Sequence, residues 1–398
     1  MTRILIVGGG IAGTATALAL HKAGFEATVY EAHPDSAEDI GAFLTLASNG
    51  MRALAQFDAA EAVAAAGFPL TAMRVMDGSG ALVAEVPLGD HEDPRFRCMR
   101  RSELNQALQS EARRRGIEIR HSARLVALAE GPAGATATFA DGSHATAELV
   151  VGADGLNSTV RSLVHPAAPG AHYAGQRVYY GYTTDAWTEA PTGVAAERIT
   201  MIRGSRAAFG YAVSPVGETY WFARVSGTLA PVEEVARSAP KQLRDELVPL
   251  LRGDDTPAAD IVAATQDQLK LTNACDLPIG TPWRTARTLL IGDAAHAAAP
   301  ATGQGASMAL EDAVVLAKAL RDTGTTEAAL AAYEHARRPR VNHNTTVSAR
   351  LTAGEAADDV DAVSGGPGTR NQATQRPISH LDEELTRQLA WETPLCPR

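Results

Sequence analysis

Cysteine is scarce: Cys98, Cys275 and Cys396 are the only three in 398 residues, and they stand far apart. No CxxC pair offers zinc a thiolate clamp and no even set builds a disulfide framework, so a reducing compartment without a metal site is expected. No stretch approaches eighteen consecutive apolar residues, which excludes a membrane-spanning helix. The start, MTRILIVGGG, enters a strand almost at once and lacks the long apolar stretch of a signal peptide, pointing to the cytoplasm. Clustered cations are also missing. With a net charge of -10, the densest basic run, Arg113-Arg114-Arg115, reads as the end of a helix answering its dipole, not as a nucleic-acid surface. What is present is the balance of a globular enzyme, 45% hydrophobic and 21% charged. At this length, two joined domains are expected.

The apolar run Arg3–Val7, bounded by glycines, predicts a parallel strand covered on both faces. A helix over about Ile11 to Ala23 and a strand over Ala27 to Glu31 complete a strand-helix-strand opening. Further along, Ser102 N-caps a predicted helix to residue 115, Ile117 to Arg120 follows as a strand, and short strands turn at Phe139-Ala-Asp-Gly-Ser143. The run Glu148 to Ala153 returns a strand to the first sheet. Between 173 and 280 the texture becomes aromatic and β-branched, around one charged helix near 232–251, as expected of a separate sheet domain. Thr288 to Ile291 resumes the buried-strand pattern, and helices follow over Gly303 to Leu320 and Ala328 to Leu351. The expected fold is therefore α/β: a Rossmann-like domain split into 1–172 and 281–353, an inserted mixed β-sheet domain at 173–280, and a linker with a short terminal helix at 354–398.

Gly8, Gly10 and Gly13 supply G-x-G-x-x-G between that strand and that helix, with Ile11 and Ala12 opening the helix. The glycines permit a tight turn, close approach of a pyrophosphate and close helix-strand packing, while the helix N-terminus favours negative charge. Eighteen residues after Gly13, Glu31 closes the second strand, where a carboxylate accepts from ribose hydroxyls. A second run, Leu289-Leu-Ile-Gly-Asp293-Ala-Ala-His296, continues through Pro300, Gly303-Gln-Gly305 and Ala306 to Ala309-Leu-Glu-Asp-Ala313. An acid just after a buried strand suits ribityl hydroxyls, and amides of Gly303 to Ala306 suit the pyrimidine oxygen of a flavin, so the dinucleotide is read as FAD.

With these motifs on the page, the chain resembles the para-hydroxybenzoate hydroxylase family of single-component flavoprotein monooxygenases, nearly end to end as far as residue 350. The matching stretches are Gly8 to Gly13 with Glu31, Gly152-Ala-Asp154-Gly155 with Ser158 and Arg161, and Gly292-Asp293 with its continuation. The resemblance implies a GR2-type FAD domain in which Asp293 binds ribityl, Arg101 reaches the flavin phosphates or ribityl, Leu125 meets adenine through its backbone, and Asp154 serves FAD and the nicotinamide donor. A turn-stabilising role is the other reading of Asp154.

The resemblance further implies that NADPH or NADH reduces FAD, which captures oxygen at C4a and passes one atom to a substrate. No second G-x-G-x-x-G unit occurs, so the nicotinamide is expected to bind transiently. The stretch Gly41 to Asn49 is similar to the family segment beside the flavin ring, with Ser48 replacing a frequent proline. Phe43 and Thr45 there, with Pro300, are candidate substrate contacts. Alternation adds Phe209 and Tyr211 on one strand, and Tyr220, Phe222 and Arg224 on the next, though such aromatics also fill sheet-helix cores. The expected partners are an aromatic or polycyclic molecule and dioxygen, with the chain a monomer or homodimer. No catalytic base is named; His296 belongs to the flavin-side motif. A non-redox binding or cyclisation role on the same scaffold is the alternative. A halogenase is disfavoured because no W-x-W-x-I-P surrounds any tryptophan.

Overall fold

The structure is a computed structural model that describes residues 3–35, 42–89, 96–187, 197–354 and 380–395. Gly41, Cys396 and nearly all of the expected linker lie outside the described residues.

A five-stranded parallel sheet carries the glycine motifs, in the order Thr288–Leu290, Leu149–Gly152, Arg3–Val7, Glu26–Tyr30, Glu118–Arg120. Ile4 to Val7 are all buried, as expected of a strand covered on both faces. Helices Ile11–Lys22 and Gly305–Asp322 pack on each other within this core, as does a three-stranded antiparallel meander over 125–147. Tyr30 stacks on Phe139 of the meander with ring centroids 4.5 Å apart.

The second sheet is mixed and seven-stranded, in the order Leu269–Asp276, His172–Thr183, Thr219–Ser226, Ala208–Val213, Arg198–Arg203, Ala72–Asp77, Leu82–Pro87. Its last two strands come from well before residue 173, and Ala72–Asp77 joins Arg198–Arg203 in parallel. One face is covered by helices Pro240–Leu251 and Ala258–Ala264; the other faces a small sheet of Phe43–Leu46, Phe96–Arg100 and Phe68–Leu70. The charged segment near 232–251 is two helices, Val232–Arg237 and Pro240–Leu251, divided where Pro240 starts a new first turn.

One helix boundary differs from the expectation. The helix expected to start with Ser102 as its cap spans Arg101–Arg114, with Arg100 at the N-cap, and Glu103 accepts from the Arg100 amide at 2.8 Å. Its other end is fastened by Glu111, which binds Arg114 and Arg115, and Arg115 donates to the carbonyls of Phe57 and Asp58.

Helix Gly305–Asp322 carries two acids, Glu311 and Asp312, with no exposed surface. Burial alone would raise both carboxyls, yet both lie below the ordinary range: Arg340 and Arg337 outweigh it at Glu311, and His296 and Arg337 at Asp312. Arg337, fully buried in helix Thr326–Thr352, stands 2.7 Å from each. Arg340 forks onto Glu311 with both bonds at 2.8 Å. The cluster reaches outward through Asn49, which donates to Glu311 and Gln304, and through Asp312, which accepts from the Gly292 amide.

Removing Arg337 strands two buried carboxylates. Arg337→Met is expected to destabilise the protein by about 3–5 kcal/mol in urea unfolding; a loss under about 1 kcal/mol would show that the pairs do not hold the helices together. A second expectation concerns acid. The hydrogen bond from Arg114, aided by Arg115, holds the Glu111 carboxyl at about 2, below its ordinary 4.5. A depressed carboxylate stabilises above its unfolded value and loses that contribution as pH falls through the folded one. Glu111→Gln should therefore lower the urea midpoint at pH 7, with the gap closing between about pH 5 and 2; a gap independent of pH would contradict this.

Candidate functional site

Gly8 follows the first strand with φ of +105°, and a Cβ there would lie 2.5 Å from the Ala153 carbonyl oxygen, so only glycine lets the two parallel strands end side by side. At Gly13 a Cβ would lie 1.9 Å from the Gly8 carbonyl oxygen; the helix is seated directly on the turn. A Cβ at Gly10 would meet nothing within 4 Å, which leaves the open side of the loop at that residue. The Gly9 peptide is held from two sides. Its amide donates to Glu31 at 2.6 Å, and its carbonyl accepts from buried Gln109 at 2.7 Å and from Thr14 at 3.0 Å. Gln109 was not singled out from sequence, because a glutamine on a surface-patterned helix carries no mark of the loop it will meet.

The expected site residues meet in a chain of contacts. Glu31 lies just beyond its strand, its other oxygen accepting from the His33 amide, and its carbonyl accepts from Ala123, two residues before Leu125. Ala12 adjoins Gly292: a Cβ at Gly292 would stand 2.9 Å from that of Ala12. Gly292 leads into Asp293, whose Oδ1 is 4.0 Å from the Cβ position of Gly305, and the Cβ position of Gly303 is 3.5 Å from the Thr45 hydroxyl. Gly303 and Gly305 are exposed at the N-terminal end of an eighteen-residue helix. Two residues from Thr45 on the same strand face, Phe43 touches Tyr220 and Phe222, each with centroids 5.9 Å away. Arg101 donates its amide to the Ala42 carbonyl, at the edge of this strand, with its side chain exposed. Pro300 is exposed in the loop before Gly303.

Some expectations are corrected. Phe209 is fully buried on the helix-covered face of the large sheet, stacked on Trp221 with centroids 5.7 Å apart, and Tyr211 packs beside it against Trp187. Both therefore belong to the sheet-helix core and not to the wall near Phe43, because strand alternation sends 209 and 211 to the face opposite 210 and 212. Asp154 spends its carboxylate on its own turn, accepting from the Ser158 hydroxyl at 2.5 Å and the Val160 amide at 3.0 Å. Arg161 ties that turn to the Ala294 carbonyl. His296 aims Nε2 at Asp312, 2.6 Å away and away from the aromatic wall.

The wall itself joins Phe43, Phe68, Tyr182, Tyr220 and Phe222. Burial pushes the Tyr182 and Tyr220 phenols well above their ordinary value, so both remain protonated hydrogen-bond donors at neutral pH. Arg100 lies over the Tyr182 ring at 4.2 Å and pairs with Glu218 at 2.6 Å, fastening the small sheet to the large one.

These features fit FAD. The fitted cradle around Gly8 to Gly13 and the exposed glycines before the long helix are joined by Ser48 Oγ and Asn49 Oδ1, buried polar atoms without a partner among the described residues. No group of residues suited to a metal ion occurs among the described residues, and none of their helices is long and apolar enough to cross a membrane.

Asp293→Ala should weaken FAD retention tenfold or more, since charge-assisted hydrogen bonds are worth about 1.5–3 kcal/mol each. Glu31→Gln should weaken it less, because the amide still accepts from Gly9. Equilibrium dialysis of FAD checks both; unchanged affinity in the Asp293 variant, or a larger effect at Glu31, reverses the ranking.

Comparison with known proteins agrees with this geometry. The chain is 32% identical over 349 residues to a 3-amino-4-hydroxybenzoate 2-monooxygenase of Streptomyces platensis, covering 85% of each. It is 29% identical over 359 residues to the aurachin C monooxygenase/isomerase of Stigmatella aurantiaca, covering 87% of this chain and 88% of that one. Klebsiella pneumoniae HpxO, solved with FAD and uric acid, superposes with a TM-score of 0.77 at 25% identity, covering 91% of this chain and 90% of that one. A family model described as FAD binding domain matches residues 1–348, and the chain belongs to that family, among the FAD-dependent monooxygenases of the para-hydroxybenzoate hydroxylase type.

Proposed function

We propose that the enzyme inserts one atom of dioxygen into an aromatic or polycyclic small molecule, by hydroxylation or epoxidation, with NADPH or NADH as electron donor. The observation that carries this reading is the strand Phe43–Leu46, which touches the aromatic wall through Phe43 and passes beside Gly303, two residues before the long helix, at Thr45. A flat ring held against Phe43, Tyr220 and Phe222 would lie next to the place where Gly303 to Ala306 address the flavin. The aminohydroxybenzoate and uric acid named for the relatives are flat ring systems of this kind.

Bound FAD supplies the redox chemistry and the activation of oxygen. Residues of the chain do the rest. Glu31 and the Leu125 backbone would hold the adenosine end, Gly8 to Gly13 the pyrophosphate with Arg101 alongside, and Asp293 the ribityl chain. The N-terminal end of helix Gly305–Asp322 favours negative charge on the reduced ring. Tyr182 and Tyr220 hold their protons and would orient a substrate oxygen by donating to it. In this reading residues 1–172 and 281–353 carry FAD, while 173–280, joined by the hairpin strands within 72–87, carry the substrate, and 354–398 form a linker and terminal helix. Asp154 positions the turn behind Gly8, a role that also suits a transient nicotinamide contact.

With no second G-x-G-x-x-G motif to dock a nicotinamide, FAD held here would take its electrons from a transiently bound donor, and a fitting substrate would favour the arrangement in which that donor has access. Stopped-flow reduction by NADPH should therefore accelerate at least about tenfold with the correct aromatic compound, a bias of roughly 1.4 kcal/mol. Poorly fitting analogues should stimulate NADPH oxidation and release hydrogen peroxide. With labelled dioxygen, one labelled atom should appear in product; label arriving only from water would rule out the oxygenase reading.

A further inference from the structure

Gln109 has no exposed surface, although Gln106, Ser110 and Arg113 of the same helix, Arg101–Arg114, are exposed. Its amide nitrogen donates to the Gly9 carbonyl at 2.7 Å, and its amide oxygen accepts from Arg113 at 3.0 Å. A carbonyl can only accept and a guanidinium can only donate, so these two partners allow the Gln109 amide one orientation. Arg113 also lies 3.3 Å from His121 Nε2, and the neighbouring Arg120 carbonyl accepts from the Glu31 amide. The Glu31 carboxylate in turn holds the Gly9 amide. A closed circuit thus runs from Gly9 through Gln109, Arg113 and the end of the strand Glu118–Arg120 to Glu31 and back to Gly9.

The Gly9 carbonyl and the Gly10 N–H belong to one peptide unit, and in a trans peptide they point in opposite directions. Gln109 and Thr14, both without exposed surface, draw the carbonyl into the protein. The Gly10 N–H is thereby turned outward, at a residue that is half-buried and whose Cβ position meets nothing within 4 Å. Gly10 is also the N-cap of the twelve-residue helix Ile11–Lys22, whose first amides lack helical partners and favour an anion. The direction of that outward amide is set from behind, by a side chain of another helix.

We infer that Gln109 is a positioning residue for FAD: it pins the Gly9 carbonyl to the buried side so that the Gly10 N–H meets the pyrophosphate, and Arg113 keeps the Gln109 amide the right way round. The arginine run at the end of this helix is divided in task, since Arg114 and Arg115 bind Glu111 while Arg113 supports the turn. The inference rests on the reading that Gly8 to Gly13 hold the pyrophosphate, and adds to that turn a residue far from it in sequence.

Gln109→Met keeps the length of the side chain and removes both polar atoms. It should weaken FAD retention about tenfold in equilibrium dialysis, and move the pyrophosphate phosphorus NMR resonances of the FAD-loaded enzyme toward those of free FAD. Arg113→Gln, at an exposed position, should act in the same direction by about two- to threefold. Thr14→Val removes the other donor to the Gly9 carbonyl. Combined with Gln109→Met it should weaken FAD by more than the product of the two single factors, because the pair shares one acceptor. A lower urea midpoint in Gln109→Met with FAD affinity and phosphorus resonances unchanged would make Gln109 a structural residue and overturn the inference, as would single factors that simply multiply in the double variant. Should Gln109→Met fail to fold, Arg113→Gln decides, and unchanged affinity and resonances there overturn the inference. Phosphorus resonances of FAD in the native enzyme that coincide with those of free FAD would instead remove the reading of the glycine turn, and this inference with it.

Discussion

Glu311 and Asp312 are adjacent on a helix buried almost throughout, and the arrangement of the flavin-side loops follows from how their charge is met. Two carboxylates taken from water cost several kcal/mol each, and only well-placed cations and hydrogen bonds offset that. Arg337 and Arg340 answer them from the facing helix. The remaining lone pairs are then available to the loops: Asp312 holds the Gly292 amide and His296, while Glu311 holds Asn49, which also holds Gln304. Those contacts bear on either side of the site, at the residue before Asp293 and at the N-cap of the glycine-lined helix. One buried charge cluster thus fixes where the Gly292–Asp293 turn and the helix N-terminus stand relative to each other.

The loops beside the charge cluster and the aromatic wall are held by separate sets of contacts. The amides of Gly303 to Ala306 and the helix behind them are held by the cluster, as electrostatic preorganisation requires. The aromatic wall belongs to another sheet, joined to the small sheet by Phe43 and by the Arg100–Glu218 pair. Side chains on that wall can change from one family member to another without disturbing the cluster, which is consistent with relatives named for hydroxybenzoate, urate and aurachin chemistry sharing one scaffold.

What was legible in the sequence was local. A glycine string between a buried strand and a helix has one economical geometry, so Gly8 to Gly13, Glu31 and the Gly292–Asp293 run were readable, and the strands expected around them came within a residue or two of their observed ends, while those between 43 and 100 were not expected at all. Long-range pairing was not. Nothing local in Ala72–Asp77 announces that it will join Arg198–Arg203 in parallel, since the partner lies more than a hundred residues away. Strand alternation grouped Phe209 with Tyr211 and Tyr220 with Phe222 correctly; it could not say which group the helices would cover. Asp154 offered two readings, and the turn took both its oxygens. The buried cluster did leave a signal: two adjacent acids in a stretch, Met308 to Ala317, otherwise composed of Ala, Val, Leu and Met, followed by the arginine-rich 337–340 segment, ask for each other on desolvation grounds alone.

Arg337 and Arg224 show what that kind of reasoning can separate. Arg337 has no exposed surface and Arg224 is half-buried, and burial opposes the charge of both. Arg337 sits between two carboxylates, and its role is complete within the chain. Arg224 has an aromatic face beneath it and no carboxylate beside it among the described residues, whereas Arg177, Arg198 and Arg74 of the same sheet each pair with a glutamate. A purely structural position on that strand would be better filled by an apolar residue of similar length, which would pack against Phe222 without burying unmet donors.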